Sequence, residues 1–145
     1  MKSIKILIVI LLFVGKSFSQ STKIETNRGI HYITNTIEYP ITGTYTFKGT
    51  EPVVELNDGG VGYYQLHEQP KRAIIWGMEC DEAGEPLFIK GFDSTAYTLW
   101  YQYTTKLDSD DEMNWTAVEF TIHFNTLKMF IKGERSKNYN EPSEK

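Results

Sequence analysis

Three histidines, one cysteine and a run of acids are the residues of this 145-residue chain suited to ligation, proton transfer or nucleophilic attack. His31, His67 and His123 lie far apart, without the short spacings that bring imidazoles together, so no zinc set is read from them. Cys80 sits in Glu79-Cys80-Asp81-Glu82. Adjacent carboxylates raise a thiol pKa and disfavour the thiolate that a nucleophile needs. A single cysteine also has no intrachain partner, so Cys80 reads as a small buried hydrophobe. Asp108-Ser109-Asp110-Asp111-Glu112 gathers four carboxylates in one stretch. Such oxygen-rich loops can hold calcium, but this one lacks the glycine and distal glutamate of an EF-hand loop and reads as a solvated connection. With no Gly-x-Ser-x-Gly elbow and no His-Glu-x-x-His pair, the expectation is no catalysis, no metal and no cofactor.

The remaining chemistry is aromatic, at 14% of the chain. Tyr45, Tyr63, Tyr64, Trp76, Phe88, Phe92, Trp100, Tyr101, Tyr103 and Trp115 are core residues in the ordinary case and a cavity lining or exposed recognition patch in the functional one. Tyr63 and Tyr64 are adjacent, so in an extended segment they point to opposite faces, and Trp100 and Tyr101 do the same.

These residues sit on segments with the period of a β-strand. Between Trp115 and Asn125, Val118, Phe120, Ile122 and Phe124 alternate with Ala117, Glu119, Thr121 and His123, giving one buried and one wet face. Leu127, Met129 and Ile131 repeat the pattern after a short Asn125-Thr126 connection. Val53–Leu56 and Val61–His67 flank Asn57-Asp58-Gly59-Gly60, whose glycines supply the positive φ of a tight turn. Further strands are expected at His31–Ile37, Ile41–Phe47, Arg72–Cys80, Leu87–Phe92 and Tyr97–Thr105, and no window has helical periodicity. The last of these carries apolar groups on both faces, which fits a strand covered outside by a loop, a partner or the N-terminal segment. Eight or nine short strands joined by brief turns make an all-β antiparallel up-and-down meander. It hides its edges by closing into a small barrel or, alternatively, by folding into a β-sandwich.

The first residues stand apart from this pattern. Met1-Lys2-Ser3-Ile4-Lys5, an apolar stretch to Val14 and Ser17-Phe18-Ser19 have the three parts of a secretory signal peptide over residues 1–19. Residues 20–29 carry no periodicity and read as a flexible lead-in, 30–139 as the barrel and 140–145 as a polar tail. Loss of Lys2, Lys5 and Lys16 takes the basic count from 15 to 12 against 19 acids, a net charge of −7. Such a domain repels nucleic acid and anionic membranes, does not span a membrane after cleavage, and is expected to be periplasmic or extracellular.

Gly43-Thr44-Tyr45 at the start of the meander and Gly133-Glu134-Arg135 at its end resemble the calycin superfamily. In that family a Gly-x-Trp near the barrel's start packs against a basic side chain from its end. Glu55 to Tyr64 is also similar to the strand, turn and strand of secreted bacterial lipocalin-like domains. The resemblance implies a lipocalin-like barrel in which Tyr45 stands for the tryptophan, with Gly43, Tyr45 and Arg135 closing one end. It also implies a mouth able to hold a small apolar or amphipathic ligand, with Phe47, Trp76, Phe120 and Phe124 as candidate lining residues. The alternative function is an exported protein-binding module with a packed core, an inhibitor or envelope assembly factor, that uses exposed aromatics or acidic loops. Interior volume separates the two.

Overall fold

The alternation between Val118 and Ile122 sets the plan of the whole sheet. The computed structural model describes residues 20–49, 52–66, 68–107 and 113–141. The leader-like residues 1–19, His67, the acidic stretch Asp108–Glu112 and the end of the tail lie outside the described residues. The strands are β1 (Thr22–Thr26), β2 (Gly29–Thr34), β3 (Gly43–Thr46), β4 (Pro52–Asn57), β5 (Val61–Tyr64), β6 (Arg72–Cys80), β7 (Phe88–Lys90), β8 (Ser94–Tyr103), β9 (Thr116–His123), β10 (Lys128–Ile131) and β11 (Arg135–Asn138).

Eight of them, β3, β4, β5, β6, β8, β9, β10 and β11, pair in chain order, and β11 returns to β3 to close an antiparallel barrel. The architecture is the all-β meander expected, lipocalin-like in its closure, and it is not a sandwich. The closing seam is thin: Ser136 opposite Thr46 is the aligned pair between β11 and β3. The other three strands lie outside the barrel, with β1 and β2 forming a hairpin on β6 and with β7 running beside β8.

Period two decides which side chains enter. Ile74, Trp76 and Met78 of β6, Leu99 and Tyr101 of β8, Val118, Phe120 and Ile122 of β9, and Met129 and Ile131 of β10 all point inward and are buried. Each large apolar side chain removed from water contributes about 1.5–3 kcal/mol, so a one-residue slip of register on any of these strands is strongly disfavoured. The Asp58–Gly60 turn behaves as its sequence requires, with Gly59 and Gly60 both at positive φ and Asn57 paired with Val61.

Three expectations are corrected and one strand is added. Residues 20–29 are not an unpatterned lead-in, because Thr22–Thr26 is a strand paired with β2, held by the single inward residue Ile24. One apolar residue in five leaves no periodicity to read. Arg135–Asn138 is a further strand with no apolar residue at all, and only its neighbours β10 and β3 make it one. The connection from β9 to β10 occupies residues 124–127, so Phe124 leaves the strand. Leu127, at φ +50°, is half exposed rather than on the core face of Met129 and Ile131.

Candidate functional site

Two of the candidate lining residues, Trp76 and Phe120, are deep in the barrel with 1% and 0% exposure. A side chain with no accessible surface has no water-sized void against it, and the same holds for Tyr45, Leu56, Met78, Leu99, Ile122, Met129 and Ile131 around them. The Trp76 indole is satisfied as well as packed, its Nε1 donating to the Val61 carbonyl at 2.8 Å. Aromatic rings bridge the interior: Tyr45 meets Phe120 edge-on at 5.8 Å, Tyr97 reaches Phe120 at 6.4 Å, and Tyr64 stacks on Tyr101 at 4.5 Å. Phe47 and Phe124 are half-buried at the margin of this core, where Phe124 packs with Tyr39 and Tyr139. The four candidates are therefore divided between a filled centre and its rim.

Of the expected closure residues, Tyr45 lies beneath a cation of β11, and that cation is not Arg135. Tyr45 is fully buried, its hydroxyl donates to the Ile41 carbonyl at 2.5 Å, and burial pushes its phenol pKa well up. The cation over its ring is Lys137, with Nζ 5.6 Å from the centroid, whereas Arg135 lies over Tyr64 at 5.3 Å. Lys137 reaches this place by passing over Gly43, where an added Cβ would sit 3.1 Å from its Nζ. From there Nζ donates to the carbonyls of Pro40 and Thr42, and burial lowers its pKa. Arg135 and Lys137 alternate on one strand and face the same side, so sequence spacing alone leaves the choice between them open.

The groups with catalytic or ligand chemistry do not converge. Among the described residues no cluster of three His, Cys, Asp or Glu side chains is placed to hold a metal ion. Cys80 is buried, and its thiol is pushed up to about 11, first by burial and then by Asp81 and Glu79. His123 stacks edge-on with Phe130 at 5.0 Å. His31 Nδ1 pairs with Glu79 Oε1 at 2.7 Å, and its ring rests on Trp100 at 4.7 Å.

That last contact belongs to the outer surface, where the barrel is dressed unevenly. Over β6 and β8 the β1–β2 hairpin lays Ile24 and Ile33 against Trp100, with Trp115 packed at the side. Gly77 is the gap that admits it, since a Cβ there would lie 2.7 Å from Ile33 Cβ. The two-faced character of the Tyr97–Thr105 segment is thus met by the N-terminal segment. The seal has a cost, because Trp100 Nε1 and His31 Nε2 are buried without a hydrogen-bond partner.

Further along β8 nothing of the described chain takes the hairpin's place. Leu87, Phe88, Ile89 and Phe92 are 49%, 55%, 78% and 100% exposed within one short run. A recess of about 460 Å³ opens beside them, with Leu87 and Ile89 on its wall, Ala96 and Ala117 among its lining, and the carboxylates of Glu79 and Glu119 at its border. A second, of about 360 Å³, is lined by Ile37, Glu38, Glu85 and Pro86, and Phe88 and Tyr97 belong to both. Phe88 and Phe92 are among the aromatics that can form a recognition patch, but the sequence does not single out the run as a site. Its signal was the consecutive Leu87-Phe88-Ile89, which puts apolar groups on both faces of a strand where alternation would leave one polar.

Comparison of the chain with family models, with curated proteins and with solved structures finds no match. What the site can do is therefore read from its own geometry.

Proposed function

We propose that this protein is an exported barrel whose work is done on its outside: a module that binds another protein through the apolar surface centred on β7. The observation that carries the reading is the contrast between the packed centre around Trp76 and Phe120 and the exposed apolar side chains Leu87, Phe88, Ile89 and Phe92. Isolated surface hydrophobes are ordinary, but a contiguous patch beside lined recesses marks an interaction surface. Export rests on the leader-like residues 1–19. Kinship with the calycins rests on Gly43, Tyr45 and the closed meander, with Lys137 in the part first given to Arg135.

A small-molecule carrier needs an empty volume within the strands, and the filled centre around Trp76 and Phe120 argues against that use of the barrel. Native mass spectrometry together with affinity capture tests the choice. The purified protein is expected to carry no stoichiometric apolar adduct, and a partner captured by the native chain is expected to be lost with Ile89→Asp and Phe92→Ser. An adduct whose removal lowers the melting temperature, or capture indifferent to both substitutions, overturns the proposal.

A further inference from the structure

β7 stands at one end of the strand order, hydrogen bonded to β8 alone. Its other side offers backbone donors and acceptors that no strand among the described residues takes up. Exposed edges are ordinarily blunted by charge, twist or cover. The opposite end of the sheet follows that rule, since β1 presents Thr22, Lys23 and Glu25 to solvent. β7 is short and carries Lys90, but it differs from β1 in presenting Phe88 and Ile89 beside that charge.

An added strand has side chains alternating between two faces, and two recesses adjoin β7. Ile89 lines the larger one, and Phe88 lines both. Both recesses combine apolar walls with acids: Glu79 and Glu119 in the first, Glu38 and Glu85 in the second. Among the described residues Glu38, Glu85 and Glu119 have no ion-pair partner, while Glu79 is engaged by His31.

We infer that the β7 edge receives an extended segment of a partner protein, added as a further strand, in which lysine or arginine side chains alternate with apolar ones. This deepens the reading of β7 as the recognition surface and rests on it. Main-chain hydrogen bonds to the open edge supply affinity that any sequence can use, and the paired recesses supply the selection. The free carboxylates favour cations within the segment and speed its approach, an attraction that weakens with salt. A second copy of this chain suits the site less, because it brings its own excess of acids to an acidic edge.

The test is fluorescence polarisation of a labelled dodecapeptide alternating lysine with valine and threonine, its glutamate-for-lysine counterpart and a neutral serine version. The lysine peptide is expected to bind and to protect the amides of Phe88–Lys90 from exchange. Glu85→Lys with Glu119→Lys is expected to weaken it by about tenfold or more at low salt, with an unchanged melting temperature, because both carboxylates are exposed. Equal binding of the three peptides, no binding of the lysine peptide, indifference to the charge reversals, or self-association through β7 overturns the inference. If Ile89→Asp abolishes partner capture while the charge reversals do not, the surface stands and the basic strand falls. If neither change affects capture, the recognition surface falls with it.

Discussion

Trp76 and Trp100 sit on neighbouring strands of one barrel and are buried almost equally, yet they close their surroundings in different ways. Trp76 points inward, is enclosed by barrel strands on every side and has its indole proton on the Val61 carbonyl. Trp100 points outward and is enclosed by a hairpin from the start of the chain, with its indole proton left unpaired. Around Trp76 shape and hydrogen bonding are satisfied together, while elsewhere in the interior Tyr64 Oη and Arg135 Nε are buried without a hydrogen-bond partner. Around Trp100 shape is satisfied and the indole is not, and the hairpin that covers it lies on a barrel that closes without it. Beyond the hairpin's reach the same outer face stays bare at β7.

The sharpest way to break this contrast is Trp76→Ala. It empties the centre of the core and orphans a hydrogen bond, so a loss of about 3–5 kcal/mol is expected in chemical denaturation. Gly77→Val acts on the cover instead. Its side chain collides with Ile33, and a cost of about 1–3 kcal/mol is expected. Faster amide exchange in Thr22–Thr34 and an unchanged barrel would show that the hairpin lifts as a unit. Trp100→Phe removes the unpaired N–H while keeping most of the apolar contact. Its expected stability change is within about 1 kcal/mol of zero, against a clear loss for Trp76→Phe, which forfeits a made bond. Equal losses for the two would erase the distinction between core and cover. Smallest of all is Ile89→Asp, within about 0.5 kcal/mol in the isolated protein because the side chain is already in water.

Legibility from sequence follows the same division. The strands that fill the barrel announce themselves, since Val118, Phe120 and Ile122 each need an inward face and the alternation records it. The Asp58-Gly59-Gly60 turn is equally plain because few residues tolerate its dihedrals. The outer additions leave fainter traces. β1 has Ile24 alone to bury, and β11 has nothing apolar, so both exist through their neighbours and not through their own pattern. Lys137 and Arg135 are indistinguishable by charge and parity, and the bare Gly43 beneath Lys137 decides between them. The β7 surface is legible only as a departure from alternation, which names a face without naming its occupant.

The seam between β3 and β11 brings Thr46 to Ser136 across ninety residues of chain. Contacts this distant in sequence carry the largest loop-closure entropy, so the seam is expected to join late as the chain folds. With one aligned residue pair in its ladder, it is also the join most readily parted by thermal opening. The Lys137 ammonium, bonded to Pro40 and Thr42, acts there as a latch, and Lys137→Met is expected to raise exchange at β3 and β11 before any other strand responds.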